Sequence, residues 1–249
     1  MDSLSDHYVR DVASAMAAVL GSRLVGVYLH GSAVLGGFDA RRSDIDVLVV
    51  CAHPMTTDEQ AAAAGRLSND RLPCPARGLE LSVVTLPVTL RPKTQPPFEL
   101  HVTTAPDDTK VVDGHGHGGD PDLVLHFAVC HQAGRLVGPG RAPAEVFAPV
   151  AHDLVMAQLV AELRWAAEHA PGEYAVLNAC RAWRFATDGT LVSKIDGGQW
   201  ALHRVSMTGH ELVQSALERQ RCLPATEFDS REVKRFVHWI LSRIVETSA

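Results

Sequence analysis

Apolar residues recur every three or four positions within the first twenty residues of the chain, which is the spacing of one face of an α-helix. The residues that share this face are Val9, Val12, Ala13, Met16, Val19 and Leu20. Gly21 follows as the predicted end of this helix. Four shorter apolar runs then predict strands at residues 24–29, 45–50, 79–85 and 98–103.

The segments between and after these strands carry helix and loop signals. Thr57 is predicted to cap an alanine-rich helix. Residues 106–121 are rich in glycine and predict a solvated loop, an interpretation that we favour over a metal site at His115 and His117. Residues 122–134 predict a further helix that ends in a glycine.

The pattern changes near residue 150, where helical periods replace the strand signals. All four tryptophans lie beyond this point: Trp165, Trp183, Trp200 and Trp239. The clearest helical period is the last, through Val233, Phe236, Val237, Ile240, Leu241, Ile244 and Val245. Asp229 and Glu232 predict a capping box at its start. We therefore predict an α+β protein, with a sheet and helices in an N-terminal domain of residues 1–150 and an α-helical bundle in residues 151–249.

The composition excludes several classes of protein. A chain of 249 residues that is 46% hydrophobic can bury a core without a disulfide or a metal, and it is too apolar to be disordered. The net charge of −6 and the lack of a Lys/Arg run argue against nucleic-acid binding and favour a cationic small-molecule partner. The apolar stretches are too short to span a membrane, and no signal peptide is predicted.

The cysteines bear on the compartment in which the protein works. They are Cys51, Cys74, Cys130, Cys180 and Cys222. Their number is odd, their spacing is wide, and no C-x-x-C motif occurs, so we expect reduced and mostly buried thiols rather than a disulfide framework or a zinc site. Reduced thiols are typical of a cytoplasmic protein. We also expect this protein to be a monomer.

Two aspartates stand at the start of the second predicted strand. Because side chains alternate along a strand, Asp44 and Asp46 share one face with their Cα atoms about 7 Å apart, while Ile45 points into the core. Charge at the start of an apolar strand is costly unless it is coordinated or lies at an open end. Two carboxylates on one face can hold one hard cation.

A glycine and a serine follow the first predicted strand. At Gly31 the backbone can approach a ligand closely, and successive N–H groups together with the Ser32 hydroxyl can hold an anion. A phosphate-binding turn beside a two-carboxylate metal site suits nucleotidyl transfer, because the metal polarises the phosphates and orients the attacking oxygen. The alternative is a plain turn followed by a surface aspartate pair, which the full spacing of the motif disfavours.

This spacing resembles the signature of the DNA polymerase β-like nucleotidyltransferase superfamily. Gly31-Ser32 is followed by eleven residues (33–43) and then by Asp44-Ile45-Asp46 leading into a strand. The resemblance implies an N-terminal nucleotidyltransferase domain with a mixed sheet, and a third carboxylate on a later strand, where Glu80 stands. Glu80 would take the proton of the substrate hydroxyl or join the metal shell. An outward-facing strand glutamate is the alternative.

The C-terminal part contains three further motifs: Asn178-Ala-Cys-Arg181-Ala-Trp183, Ser193-Lys194 and Gly198-Gln-Trp200-Ala201. These motifs resemble those of a narrower family, the aminoglycoside adenylyltransferases that modify streptomycin and spectinomycin. With the N-terminal signature, the resemblance covers most of the chain. It implies binding of ATP and Mg²⁺ between the two domains, transfer of AMP to an aminoglycoside hydroxyl and release of pyrophosphate, and thus a role in antibiotic resistance.

The resemblance also implies roles for individual residues by matched position. Asp44 and Asp46 would hold Mg²⁺, and the number of bound ions, one or two, stays open. Glu80 would be the catalytic base and would contact the acceptor. The nucleotide would be bound by Gly31, Ser32, Ser43, Arg181 and Lys194. Arginine and lysine suit this task because both neutralise phosphate charge, and arginine does so with two parallel hydrogen bonds.

The chain departs from the family at the acceptor site. A tryptophan that relatives use against the sugar is absent, since residues 102–105 read Val-Thr-Thr-Ala. Glu99 matches a recurrent glutamate, which either binds a cationic acceptor or orders its strand. Glu173 stands near the family's acidic acceptor contacts. Two alternatives therefore stay open: a different acceptor (a lincosamide, another small molecule or a protein hydroxyl) and a non-catalytic nucleotide-binding regulator.

Overall fold

The protein is described by a computed structural model that covers residues 2–221 and 227–247. The chain divides into two compact units, Met1–Val150 and Ala151–Ala249. The strands of the N-terminal unit are β1 (Leu24–Leu29), β2 (Ile45–Cys51), β3 (Leu79–Thr85), β4 (Leu100–Ala105), β5 (Asp108–Asp113) and β6 (Arg135–Val137). Its α-helices are α1 (Ser3–Leu20), α2 (Ser32–Leu35), α3 (Thr57–Leu67), α4 (Leu86–Thr89), α5 (Leu123–Ala133) and α6 (Pro143–Val146).

The six strands form one mixed sheet in the order β5-β4-β3-β2-β1-β6. Strands β2 and β3 are parallel, and the other neighbouring pairs are antiparallel. Helices α1 and α3 pack on one face, and α5 and α6 pack on the other. Strand β2 is apolar on both faces because it lies between two cores: Val47 faces the first and Leu48 faces the second. The predicted mixed sheet with helices is confirmed.

The predicted helix and strand boundaries need small corrections. The first and third predicted strands have the expected bounds, whereas β2 extends to Cys51 and β4 begins only at Leu100. The cap of α3 is Thr56 and not Thr57. The Thr56 hydroxyl accepts a hydrogen bond from the Glu59 N–H, and the Glu59 carboxylate accepts one from the Thr56 N–H. This reciprocal pair is a capping box, which satisfies two backbone donors at once.

The prediction of a loop across residues 106–121 is wrong for its first half. Strand β5 occupies Asp108–Asp113 and pairs with β4 along its whole length. Nearly all of its side chains are exposed, so local hydrophobicity gives little signal, and the neighbouring strand supplies the stabilising backbone hydrogen bonds. His115 and His117 lie in the following glycine-rich loop. Across the described residues no cluster of three or more histidine, cysteine, aspartate or glutamate side chains could hold a metal ion.

The C-terminal unit is helical throughout its described residues, as predicted. Its helices are α7 (His152–His169), α8 (Gly172–Asp188), α9 (Lys194–Leu202), α10 (Met207–Gln220) and α11 (Ser230–Thr247). Helix α8 contacts each of the other four and is the centre of this unit. Most of the predicted apolar face of α11 is buried, but Val245 is 70% exposed. Before α11, Asp229 accepts a hydrogen bond from the Arg231 N–H (2.8 Å).

Two further observations concern membrane-spanning helices and the thiols. In the part of the chain that the structure describes, each helix is too short or too polar to cross a membrane. Cys51, Cys130 and Cys180 are buried and Cys74 is half-buried, and all four are free thiols. Cys222 lies outside the described residues.

Candidate active site

Two of the predicted carboxylates are brought together by the pairing of β2 with β3. In this parallel register Asp46 lies directly beside Glu80. Residues in register on neighbouring strands share one face, with the strands about 4.8 Å apart. That face is the one on which Leu48 packs against α5. The sequence pattern alone placed Asp46 and Glu80 on separate strands, and the register makes them neighbours.

The turn after β1 packs its backbone directly against Asp46. Gly31 has a φ of +59°, and a Cβ at this position would overlap the Asp46 carboxylate. The Ser32 N–H donates a hydrogen bond to Asp46 Oδ2 (3.3 Å), and the His30 N–H donates one to the Asp46 carbonyl (3.0 Å). The Ser32 hydroxyl is buried and has no hydrogen-bond partner among the described residues. A buried hydroxyl without a hydrogen-bond partner costs free energy. A ligand oxygen that forms a hydrogen bond with the Ser32 hydroxyl would remove this cost.

Alanine at position 31 is expected to destabilise the protein more than alanine at Gly36, which also has a positive φ (+86°). Around Gly36 a Cβ would meet open space, so the expected cost is backbone strain alone, about 1–2 kcal/mol. Gly31→Ala adds the collision with Asp46, typically a further 1–3 kcal/mol for overpacking. Chemical denaturation of both variants measures the difference. Equal losses would contradict the close approach of Gly31 to Asp46.

Asp44 is held by a residue that the sequence analysis missed. Arg77 Nη1 donates to Asp44 Oδ2 (2.6 Å), while its Nη2 binds both oxygens of Asp107 (2.6 and 2.7 Å). Burial raises the pKa of the Asp44 carboxyl, the Arg77 charge opposes that rise, and Glu80 adds to it. Asp44 Oδ1 is buried and lacks a hydrogen-bond partner within the described chain. The only sequence feature that marks Arg77 is its position as a single basic residue just before β3.

Histidines surround Glu80 on the same face of the sheet. His126 Nε2 lies 3.9 Å from Glu80 Oε1, and the His126 ring is 4.6 Å from the ring of the buried His30. His101 Nδ1 lies 2.9 Å from the hydroxyl of Ser82. Burial, aided by His126, holds the pKa of His30 well below its usual range, and burial also lowers the pKa of His101. The sequence signal for His126 is a single histidine among the apolar residues that begin helix α5.

Ser43 and Glu99 make hydrogen bonds that order their own segments. The Ser43 hydroxyl accepts from the Asp39 N–H (3.2 Å) within a turn. The Glu99 carboxylate accepts from the Met55 N–H (2.9 Å), and its carbonyl accepts from the Gln60 amide (2.6 Å). These contacts favour the interpretation of Glu99 as a residue that orders its strand. Contact of Ser43 with phosphate and of Glu99 with an acceptor stays a prediction.

In the C-terminal unit, the two cationic side chains that are predicted to bind the nucleotide belong to one cluster of polar residues. Arg181 on α8 lies 3.6 Å from a carboxylate oxygen of Glu162 on α7, measured from Nη2. Lys194 begins α9 and places its ammonium 4.3 Å from the centre of the Tyr174 ring. The hydroxyl of Tyr174 in turn donates to Glu162 (2.9 Å). Glu162 and Tyr174 were not predicted as site residues, because nothing in their local sequence marks the contacts.

Glu173 lies on the first turn of α8 and faces another side chain of the same unit. Its carboxylate Oε2 is 4.0 Å from Arg219 Nη1 on α10. Only 16% of the Glu173 side chain is exposed. An ion pair with Arg219 satisfies part of this charge, and a contact of Glu173 with a cationic acceptor stays a prediction.

Comparison with known proteins finds similarity to adenylyltransferases. Residues 145–243 match the family model described as "Aminoglycoside adenylyltransferase, C-terminal domain". Over 198 residues the chain is 27% identical to spectinomycin 9-adenylyltransferase from Staphylococcus aureus strains Mu50 and N315, a match that spans 74% of this chain and 73% of the relative.

A solved structure shares the fold. The crystal structure of spectinomycin adenyltransferase AAD(9) from Enterococcus faecialis, with ATP and spectinomycin, superposes with a TM-score of 0.73 at 14% identity. The superposition covers 96% of this chain and 98% of that chain. The Arg181 and Lys194 motifs lie within the matched region, so the C-terminal unit is similar to the C-terminal domain of aminoglycoside adenylyltransferases.

Proposed function

We propose that this protein transfers AMP from ATP to a hydroxyl group of an aminoglycoside or aminocyclitol antibiotic of the spectinomycin or streptomycin type, and that it releases pyrophosphate. The observation that carries the proposal is the pairing of Asp46 with Glu80 across β2 and β3, with the Gly31–Ser32 backbone packed against Asp46. We further propose that residues 1–150 form the nucleotidyltransferase domain and that residues 151–249 form a helical domain that contributes to ATP binding.

The residues at β2 fit Mg²⁺. Mg²⁺ at a nucleotide site is usually held by one or two carboxylates together with phosphate oxygens and water, and Asp44 and Asp46 supply two carboxylates. The buried Asp44 Oδ1, which has no hydrogen-bond partner among the described groups, leaves an oxygen for a cation. When bound, the ion would polarise the phosphates and orient the attacking oxygen.

The protein side chains have separate tasks in the proposed reaction. The acceptor oxygen forms a bond to the α-phosphorus of ATP, and the bond from that phosphorus to the bridging oxygen breaks, so that pyrophosphate leaves with the electron pair. Glu80 takes the proton of the acceptor hydroxyl. Ser32 and Ser43 contact phosphate oxygens, and Arg181 and Lys194 neutralise the charge of the triphosphate.

The acceptor is proposed to be cationic. The net charge of −6 favours such a partner, and Glu80, Glu99 and Glu173 are the carboxylates proposed to meet it. The relatives are named for spectinomycin, which supports an aminocyclitol as the first acceptor to test.

A turnover assay over a panel of acceptors tests the proposed function. Purified protein with Mg²⁺ and ATP is expected to release pyrophosphate and to add the mass of one AMP to spectinomycin, streptomycin or both. Omission of Mg²⁺ in the presence of EDTA is the control. An adduct on a lincosamide alone would overturn the acceptor class and keep the chemistry. ATP binding without turnover on any acceptor of the panel would favour the non-catalytic regulator.

A further inference from the structure

A half-buried carboxylate on α7 is held by several neighbours in the C-terminal unit. Glu162 Oε1 accepts hydrogen bonds from the Tyr174 hydroxyl (2.9 Å) and from the Asn178 amide (3.1 Å). Its other oxygen, Oε2, lies 3.6 Å from Arg181 Nη2. Only 16% of the Glu162 side chain and 19% of the Arg181 side chain are exposed. Two hydrogen bonds therefore orient Glu162, and its second oxygen forms an ion pair with one edge of the Arg181 guanidinium.

The same carboxylate reaches Lys194 through an aromatic ring. The Lys194 ammonium lies 4.3 Å from the centre of the Tyr174 ring, a distance typical of a cation–π contact. Burial raises the pKa of the Tyr174 hydroxyl, and the Glu162 charge raises it further, so this hydroxyl keeps its proton and donates to Glu162. The hydrogen bond to Glu162 thus sets the plane of the ring on which Lys194 lies.

The Arg181 guanidinium has a donor that no described residue satisfies. Arg181 Nε is buried without a hydrogen-bond partner among the described residues. Arginine has five N–H donors in one rigid plane, so holding one edge with a carboxylate presents the remaining donors in a defined direction. A cation that is already oriented loses less conformational freedom when a phosphate binds it.

We propose that Glu162 is a positioning residue for the triphosphate of ATP. It would orient Arg181 directly and Lys194 through the Tyr174 ring. The inference rests on the proposed function in one respect, that Arg181 and Lys194 bind the triphosphate. The competing expectation is electrostatic: a carboxylate beside two cations lowers their net charge, so that its removal would strengthen ATP binding.

Four variants and two nucleotides separate these expectations. Glu162→Ala removes the whole network, and Glu162→Gln keeps its shape without the charge. Tyr174→Phe keeps the ring beneath Lys194 and loses the hydroxyl that ties the ring to Glu162. Glu168→Gln is the matched control, since Glu168 lies on the same helix and pairs at the surface with Lys234 (2.6 Å). Calorimetry gives the Kd for ATP and for AMP, and thermal unfolding verifies folding.

For Glu162→Ala the Kd for ATP is expected to rise about 10- to 30-fold, because the ordering of two long side chains must then accompany binding. The rise is expected to be smaller for Glu162→Gln and Tyr174→Phe and absent for Glu168→Gln. The Kd for AMP, which lacks the β- and γ-phosphates, is expected to change less than twofold in every variant.

Tighter or unchanged binding of ATP by Glu162→Ala would overturn the inference. Equal weakening of ATP and AMP would also overturn it, since that result indicates a general structural role. Wild-type protein that binds ATP no better than AMP would overturn it too. Absence of turnover in the acceptor panel, with ATP binding intact, would instead count against the proposed function.

Discussion

Replacement of Glu80 by glutamine is expected to lower kcat for AMP transfer by about 10²- to 10⁴-fold, the usual contribution of a general base. The amide has nearly the shape of the carboxylate, so it can stay beside Asp46 in the β2–β3 register, but it cannot take the proton of the acceptor hydroxyl. The Kd for ATP is expected to stay within about threefold of wild type, because the triphosphate contacts are assigned to other residues. Pyrophosphate release measures kcat, and calorimetry measures the Kd.

A matched control for this variant is Asp108→Asn. Asp108 begins the exposed edge strand β5 and pairs with Lys110 at the surface (3.1 Å), so its loss should leave kcat unchanged. Turnover of Glu80→Gln within about tenfold of wild type would contradict the assignment of Glu80 as the base. Attention would then turn to His126, whose Nε2 lies 3.9 Å from Glu80 Oε1.

The elements that the sequence predicts well are those whose signal is local. Strand β1 is a short apolar run, β3 is rich in leucine and valine, and α1 repeats its apolar residues with the helical period. Strands β5 and β6 carry little local signal. Strand β5 is exposed and β6 has three residues, so both depend on hydrogen bonds from β4 and β1.

The residues of the candidate site can likewise be divided into those with a local sequence signal and those without one. Gly31, Asp44 and Asp46 can be predicted as candidate site residues because a close turn and two carboxylates at a spacing of two have a chemical meaning within a short segment. Arg77 binds Asp44 from 33 positions away, and a pairing of that kind is set by the β2–β3 register rather than by any local pattern.

Glu162 illustrates the same limit in the helical unit. It contacts Tyr174 and Asn178, which lie 12 and 16 positions further along the chain on the next helix. Helical periodicity predicts which residues share a face of one helix, but it does not predict which polar side chains of two helices meet. The family resemblance predicts Arg181 and Lys194 as nucleotide-binding residues. Only the packing of α7, α8 and α9 shows that Glu162 contacts Arg181 directly and is linked to Lys194 through Tyr174.

Asp46→Asn is expected to abolish the effect of Mg²⁺ on ATP binding and to lower kcat by at least about 10²-fold, because a bound metal contributes several kcal/mol to the stabilisation of developing charge. Asparagine can still accept the hydrogen bond from the Ser32 N–H, so the turn after β1 should keep its conformation. The lost property is one of two negative charges on the face where Mg²⁺ is proposed to bind. Calorimetric titration of ATP with and without Mg²⁺ measures the effect directly.

The control for this experiment is Asp113→Asn at the end of β5, where the carboxylate is exposed and accepts a hydrogen bond from the His115 N–H (2.8 Å). This variant loses the same charge from the same unit and should retain the wild-type Mg²⁺ dependence. Thermal unfolding of both variants should resemble that of the wild type, which separates loss of the metal from loss of the fold. If Asp46→Asn binds ATP with an unchanged response to Mg²⁺, Asp46 is not a metal ligand, and its role is confined to the hydrogen bond that orders Gly31 and Ser32.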